Sequence, residues 1–307
     1  MSGVQEQQAG SGRSSGAPHQ SRTRPRAALA DYLLDQLNVL EGNLPLAGAG
    51  DPEAVHNARV AVRRFRSVAT CNRFLLPDFP ADDVGMLKTL ARGLGESRDA
   101  EVQAERLSLV LDANGPWHRE ESLRKLVEAL RARAVERAAT LEQTATGPVL
   151  ARARRVLAAG WGHTGRMEVT AALQNRWERL GILMAKAREP LPLDEHHFQL
   201  HNVRKAIKGL RYSAEAVTAS FGEPALAIVR PAIALQRLLG EQHDAVVASI
   251  LLTATANVDP RDAAALAQLE SLRAVAAETE FLRLLALDPV PSPAIVMALG
   301  RTESPRP

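Results

Sequence analysis

Cysteine, aromatic residues and long apolar runs are all scarce in this sequence of 307 residues. The single cysteine, Cys71, excludes an internal disulfide framework and a cysteine-based zinc site, and it is typical of a reducing compartment. Aromatic residues make up only 4% of the chain, which argues against a β-sandwich or a β-barrel. No apolar run approaches the roughly 20 residues that span a bilayer. We therefore expect a cytoplasmic protein with no membrane partner.

The abundant residues are alanine, leucine and arginine, which favour helices. Apolar residues recur at helical spacing in stretches that end at proline or glycine. The predicted helical segments are 27–43, 52–76, 81–112, 117–145 with a continuation over 148–159, 168–189, 194–220, 224–257 and 260–287. Within 224–257, Pro231 marks either a kink or a later helix start. The pattern predicts an all-α protein.

The two ends of the chain differ in composition from the helical region. Residues 1–25 are rich in glycine, serine, glutamine and arginine and lack the apolar core of a secretory signal. We expect a disordered basic tail there, and a transit peptide is the alternative. Residues 288–307 are rich in proline, and we expect a loose C-terminal tail.

The net charge of +3 does not belong to the helical region. Residues 27–287 hold 32 basic and 32 acidic side chains, and the excess of cations lies in residues 1–26. A basic protein invites the hypothesis of nucleic-acid binding, but a neutral domain attracts no polyanion through its total charge. Any anion-binding function must therefore come from where the cations are placed.

An internal repeat organises the helical region. The stretch HNARVAVRRFR at 56–66 matches HNVRKAIKGLR at 201–211, and LGESRDA at 94–100 matches LGEQHDA at 239–245. Both matches have an offset of 145 residues, and 10 of the 18 aligned pairs are identical. Two separate motifs with one common offset indicate a duplicated unit.

The duplication predicts the architecture. Pro45 and Pro190, which we interpret as marking a helix end before each motif, keep the same offset. Each unit has about four predicted helices, one over 26–160 and the other over 166–287. We predict two similar four-helix bundles that are related by a pseudo-twofold axis and together form one domain.

Each repeated helix presents a stripe of basic side chains. At about 100° per residue, the stripe side chains fall within about 80° of one another, beside the apolar face of the helix. The two stripes are His56, Arg59, Arg63 and Arg66 in the first repeat and His201, Arg204, Lys208 and Arg211 in the second. No acidic residue occurs between positions 54 and 77 or between 196 and 214, so neither helix neutralises its own stripe.

One interpretation is that the stripes bind an anion. Arginine offers planar donor forks that match phosphate oxygens, and lysine and histidine offer single donors. Asp51 followed by Pro52, and Asp194, look like N-cap signals, so each histidine lies near a helix start, where an anion is favoured. A polyanion beside His56 and His201 would raise the pKa of each imidazole.

The other interpretation is that the stripes are neutralised inside the fold. Asp99 and Asp244 occur in the second repeated motif and are the obvious partners for the arginines. The glutamates of that motif are expected to pair locally with arginines four residues before them, as Arg92–Glu96 and Arg237–Glu241. The spacing alone leaves both interpretations open.

The two H-x-x-R-[VK]-A-x-[RK]-x-x-R helices, each followed by L-G-x-x-[RH]-D, resemble the CHAD domain, the conserved histidine α-helical domain, over about residues 26–287. This resemblance implies two four-helix bundles that bind inorganic polyphosphate in a basic central surface or pore, and for several members an association with polyphosphate granules. It implies that the eight stripe residues contact polyphosphate. Weaker candidates for the same contact are Arg64, Arg98, Lys205 and His243. Gly209 stands opposite Arg64, which indicates that Arg64 is not indispensable.

No catalytic residue, metal site or cofactor is expected. His197 and His201 are spaced to share a metal ion on one helix, but no third ligand is nearby. The sequence has no G-x-x-x-x-G-K-[ST] loop, and it lacks the E-x-E-x-K signature of the catalytic tunnel domain that is often fused to CHAD domains. We expect a non-catalytic module whose partner is polyphosphate or another polyanion. The alternatives are a polyphosphate phosphohydrolase, a nucleic-acid-binding module and a structural adaptor.

Overall fold

The computed structural model describes residues 24–72, 79–112, 117–141, 146–159 and 166–287. These ranges form ten helices and no strand. The helices are α1 (Pro25–Gly48), α2 (Pro52–Cys71), α3 (Ala81–Asp112), α4 (Glu120–Ala139), α5 (Gly147–Ala158), α6 (Arg166–Ala187), α7 (Leu193–Glu215), α8 (Thr218–Phe221), α9 (Glu223–Ala254) and α10 (Pro260–Leu287). Of the predicted tails, residues 1–23 and 288–307 lie outside the described residues, and Pro25 already begins α1.

The helices pack in the same pairs in both halves of the chain. In the first half α1 packs on α2 and α3 packs on α4, and in the second half α6 packs on α7 and α9 packs on α10. The halves meet where α2 contacts α7, the two helices that contain the basic stripes. The short helix α8 packs on α1 and α9, and α5 packs on α1 and α3. The all-α fold predicted from the duplication is confirmed.

Both halves contribute to each hydrophobic cluster. The larger cluster includes fully buried leucines of α1 and α3 together with Val203, Ile207 and Leu210 of α7 and Phe281 of α10. The smaller cluster joins the C-terminal part of α3 and the first half of α4 to the end of α9 and the beginning of α10. Since neither cluster belongs to one repeat, the described parts of the two repeats stabilise each other through shared apolar burial.

Ion pairs also join the halves. Arg106 of α3 donates to Glu241 of α9 and, at 2.5 Å, to Glu270 of α10, whose side chain is fully buried. The carboxylate of Asp262 accepts hydrogen bonds at 2.7 Å from the backbone N–H groups of His118 and Arg119. These contacts fix the α3–α4 pair against the α9–α10 pair.

The helix boundaries follow most of the predicted breakers and caps. Asp51 caps α2 as predicted, since its side chain accepts a hydrogen bond from the N–H of Ala54 at 2.7 Å. The prediction for Asp194 is wrong, because α7 begins at Leu193 and Asp194 lies in its first turn. The prediction that Pro45 ends a helix is also wrong, because Pro45 lies inside α1. Pro231 lies inside α9, which starts well before it at Glu223.

None of the ten helices in the described part of the chain is both long enough and apolar enough to cross a membrane.

Candidate anion-binding site

Burial of the apolar faces of α2 and α7 fixes the direction of the basic stripes. Val55, Ala58, Val62 and Phe65 of α2 are buried, and so are Leu200, Val203, Ile207 and Leu210 of α7, at equivalent places in the repeat. The stripes lie beside these faces. Because α2 contacts α7, the two stripes come together between the halves.

One pair of arginines is neutralised inside the fold, with the same geometry in both repeats. Arg59 donates to Asp99 at 3.1 Å, and Arg204 lies 3.8 Å from Asp244. Each guanidinium passes over a glycine of α3 or α9, since a Cβ built on Gly95 or on Gly240 would lie 3.9 Å from a guanidinium nitrogen. The expectation that Asp99 and Asp244 pair with the stripes is therefore confirmed for these two arginines.

The other inward-facing cations have no acidic partner among the described residues. Arg63, Arg66 and Lys208 form no ion pair there, and the Nε atom of Arg66 is buried without an acceptor. Burial lowers the pKa of Arg63 and Arg66. Burial, followed by the charges of Arg204 and Arg63, lowers the pKa of Lys208 to about 6. These side chains are desolvated and unneutralised, so an anion would relieve both penalties.

A cavity of about 690 Å³ opens beside these cations, between α2, α3, α6 and α7. Of its described lining residues, seven are cationic and none is acidic. The cations are Arg63, Arg66, Lys88, Arg92, Arg176, Lys205 and Lys208, and the other lining residues are Ser67, Thr70, Ala91, Gly209 and Tyr212. Such a concentration of one sign in a concave surface focuses its field on an anion.

Three of these cations were not predicted from the sequence. Lys88 and Arg92 project from α3, and Arg176 projects from α6. The predicted local pair between Arg92 and Glu96 is wrong, because Glu96 instead contacts Arg137 of α4 at 3.6 Å. The equivalent prediction for the second repeat is wrong as well, since Arg106 of α3 takes Glu241. The signal that was present in the sequence is the spacing of Lys88 and Arg92, four residues apart on one helix face.

Gly209 leaves room for the path of Arg176. A Cβ built on Gly209 would lie 2.1 Å from Nη1 of Arg176, which crosses α7 at this point. Beyond the glycine, Arg176 donates a hydrogen bond at 2.7 Å to the backbone carbonyl of Ser67 on α2. Thus the departure from the repeat at Gly209 makes room for a cation of α6 to reach the cavity.

The histidines lie at one end of the stripes, outside the lining of this cavity. The rings of His201 and His243 are 4.9 Å apart, and Nδ1 of His201 is buried without a partner. Burial and nearby cations lower the pKa of His201 to about 4 and that of His243 to about 3, and the pKa of the exposed His56 is also lowered. In the protein alone these imidazoles are neutral at pH 7.

Three of the four remaining predicted contacts are engaged with acids. Arg211 donates to Glu215 at 2.7 Å and to Gln236 at 3.1 Å, and Arg64 lies 3.6 Å from Glu215. Arg98 donates to Glu101 at 2.6 Å within α3. Lys205 lines the cavity and has no ion pair among the described residues. For metal binding, no group of three or more His, Cys, Asp or Glu side chains in the described ranges is arranged to hold an ion.

Solved structures share this fold at low sequence identity. PptA from Streptomyces chartreusis superposes with a TM-score of 0.67 at 20% identity, over 86% of this chain and 100% of that chain. The CHAD domain from the plant Ricinus communis superposes with a TM-score of 0.62 at 22% identity, over 94% of this chain and 95% of that chain. Both comparisons support the arrangement of the helices.

Curated relatives include two uncharacterized proteins of Mycobacterium tuberculosis, from strains CDC 1551 / Oshkosh and H37Rv. Each is 32% identical over 206 residues, which is 64% of this chain and 39% of the relative. The chain thus spans well under half the length of these relatives. The model of the CHAD domain family matches residues 31–253, which include both repeated motifs and the whole lining of the basic cavity. The chain therefore belongs to the CHAD domain family.

Proposed function

We propose that this chain binds inorganic polyphosphate at the basic cavity and takes part in no catalytic step. The observation on which the proposal rests is the cavity lining, in which seven cations face one space without a carboxylate. A chain of phosphates presents many negative charges along a narrow, flexible backbone. It is therefore suited to a cleft whose cations come from four different helices.

The binding mechanism is electrostatic. Arg63 and Arg66 donate planar forks to phosphate oxygens, and Lys208 donates from the opposite helix. Condensed counterions leave the polyanion when these contacts form, so the affinity falls as the salt concentration rises, as it does for nucleic-acid backbones. The pairs Arg59–Asp99 and Arg204–Asp244 hold α2 and α7 against α3 and α9 and so shape the cleft.

The composition of the cavity favours polyphosphate over nucleic acid. Proteins that bind single strands without sequence preference combine cations with several aromatic side chains on which bases stack. Tyr212 is the one aromatic residue in the cavity lining, and its ring already lies beside Arg64 and Arg211, each 5.6 Å from the ring centroid. The site has donors for a phosphate backbone and no platform for bases.

The decisive experiment measures polyphosphate affinity against salt for the wild type and for a variant in which Arg59, Arg63, Arg204 and Lys208 are all replaced by glutamine. A matched control replaces four exposed cations away from the cavity, Arg124, Lys125, Arg230 and Arg283, each of which pairs with a glutamate. We expect the first variant to lose affinity and salt dependence and the control to keep both. Equal affinities of the wild type and the first variant would contradict the proposal.

Two further measurements separate the alternatives. Incubation with tripolyphosphate and a range of divalent metals detects released phosphate if the protein is a phosphohydrolase, and we expect none. Competition between polyphosphate and RNA or DNA at equal phosphate concentration tests nucleic-acid binding, and we expect polyphosphate to win. Recruitment to polyphosphate granules in cells is part of the same proposal, and loss of recruitment in the glutamine variant is its test.

A further inference from the structure

Among the described residues, the cations that line the basic cavity are only partly repeated at the equivalent positions of the other repeat. With the offset of 145 residues, Lys205 corresponds to Val60 and Lys208 to Arg63. On α3 and α9, Lys88 corresponds to Ile233 and Arg92 to Arg237. Two of these four cations of the cavity therefore have an apolar side chain at the equivalent place.

Arg176, the cation that α6 contributes to the cavity, also has no charged equivalent in the first repeat. The buried residues Leu29, Leu33, Leu40 and Ala47 of α1 recur as Val169, Leu173, Leu180 and Ala187 of α6, which gives an offset of 140 for this helix pair. With that offset, Arg176 corresponds to the buried and neutral Gln36. Gly209, which lets Arg176 pass, corresponds to the bulky Arg64.

The two arginines that end the stripes show how the sides differ. Arg211 is held by Glu215 and Gln236. At the two equivalent places in the first repeat, Arg66 has Thr70 and Ala91, both of which line the cavity. The first repeat has thus no acid or amide acceptor where the second has both, and Arg66 stays available for a ligand.

From these differences we infer that polyphosphate is held asymmetrically, on one side of the pseudo-twofold axis, and that Lys88, Arg92 and Arg176 are binding residues. The inference rests on the proposed function and deepens it. The polyphosphate chain lies across the contact between the two basic stripes and extends over α3 and α6, on the side of the axis where the cavity lies. The equivalent surface near Arg211 and Arg237 stays empty, so each chain holds one segment of polyphosphate.

The test compares equivalent arginines of the two repeats. Arg92 and Arg237 are both exposed, both lie on the helix that contains the second repeated motif, and neither forms an ion pair among the described residues. Each of the variants Arg92→Gln and Arg237→Gln therefore removes one positive charge. Only Arg92→Gln changes the lining of the cavity. A double variant, Lys88→Gln with Arg92→Gln, enlarges the effect. Binding of polyphosphate is measured by titration calorimetry over a range of salt concentrations, with melting curves as a check of folding.

We expect the double variant to bind about tenfold more weakly or worse, with a salt slope smaller by about 1.4 to 1.8. Arg237→Gln should bind like the wild type, at one site per chain. Equal weakening by Arg92→Gln and Arg237→Gln would overturn the asymmetry, and so would an unchanged double variant. In both of those cases the wild type still binds and the proposed function stands. A wild type that fails to bind polyphosphate refutes the proposed function and this inference together.

A second variant tests the asymmetry from the other direction. Thr70→Glu gives Arg66 the acid that Arg211 already has in Glu215. We expect it to weaken polyphosphate binding about tenfold or more, because it neutralises Arg66 and adds a negative charge to the cavity. Thr70→Gln is the neutral control and should bind nearly as the wild type does. If Thr70→Glu binds as tightly as Thr70→Gln, Arg66 takes no part and the inference fails.

Discussion

Polyphosphate binding is expected to take up protons, because Lys208 is largely uncharged in the protein alone at neutral pH. Burial and the charges of Arg204, Arg63 and Arg59 lower its pKa from 10.5 to about 6, and the charge of Asp244 offsets only part of this. A polyanion in the cavity favours the ammonium form and raises the pKa again. Above pH 6 the complex then holds more protons than the free protein, so the affinity falls as the pH rises, and it levels off below pH 6.

The size of the effect follows from the change in the pKa of Lys208. One proton taken up per complex changes the affinity by at most about tenfold per pH unit. If the complex raises the pKa by about two units, the affinity falls roughly 50-fold between about pH 6 and pH 9. The other shifted groups act at lower pH, since the pKa of His201 is about 4 and that of His243 about 3.

The assay is titration calorimetry at pH 6 to 9 in pairs of buffers with different enthalpies of ionisation, which counts the protons taken up. The control is Lys208→Arg, which keeps a positive charge at every pH in this range. Terminal phosphates of the ligand titrate near pH 6 and affect both proteins alike, so the difference between the two proteins isolates Lys208. The same proton uptake at pH 7.5 for wild type and Lys208→Arg would refute the reasoning.

Three other variants test separate parts of the structure. Asp99→Asn removes the carboxylate of a partly exposed pair that shapes the cleft, so stability should fall by about 1 kcal/mol and polyphosphate affinity should fall several-fold; an unchanged or higher affinity in calorimetry would contradict this. Arg106→Leu leaves the fully buried Glu270 with Arg273 as its remaining partner and should cost about 3 kcal/mol in urea unfolding; a cost below about 1 kcal/mol would show that the pair contributes little. Gly209→Ala should change stability by less than about 1 kcal/mol, since better helix propensity offsets the lost hydrogen bond of the displaced Arg176. It should weaken polyphosphate binding, and unchanged binding would show that Arg176 is not a binding residue.

The fold was predictable because its main signals are local or repeated. Helical spacing and breakers located the long helices, and the offset of 145 residues identified α7 as the equivalent of α2 and α9 as the equivalent of α3. The errors fell where packing outweighs propensity. Pro45 lies inside α1 rather than at its end, and α1 and α6 align with an offset of 140 instead of 145.

The site was predictable only in part, because a helical wheel describes one helix at a time. It placed Arg63, Arg66 and Lys208 correctly on the inner stripes, and all three line the cavity. It gave no information on which carboxylate reaches which stripe. The pairing of Arg211 with Glu215 was visible as an i, i+4 spacing, but the pairing of Glu96 with Arg137 depends on the packing of α3 on α4.

The missed cations, Lys88, Arg92 and Arg176, belong to helices outside the main motif, where the spacing of Lys88 and Arg92 does not by itself distinguish a cavity wall from a solvated face. A second signal is the difference between the repeats. Positions that are equal in the two halves, such as the arginines that pair with Asp99 and Asp244, hold the shared frame together. Positions that differ, such as Thr70 against Glu215, mark the side of the molecule on which we propose that the ligand binds.

Under the proposed function, this division would let a domain of balanced charge bind a polyanion. A cluster of seven cations with no acidic residue in the described lining disfavours the folded state, and burial, followed by the charges of Arg204 and Arg63, lowers the pKa of Lys208 to about 6. The symmetric ion pairs and the two hydrophobic clusters shared by the halves offset that cost and keep the cavity in shape without a ligand. In this proposal a bound anion relieves the repulsion between the cations, which strengthens binding. The cations are already held in place, so only the anion has to be ordered. A second cavity of unpaired cations in the other repeat would roughly double this cost in folding free energy. The second repeat instead has Glu215, Gln236 and Ile233 at the equivalent positions, so this second cost does not arise.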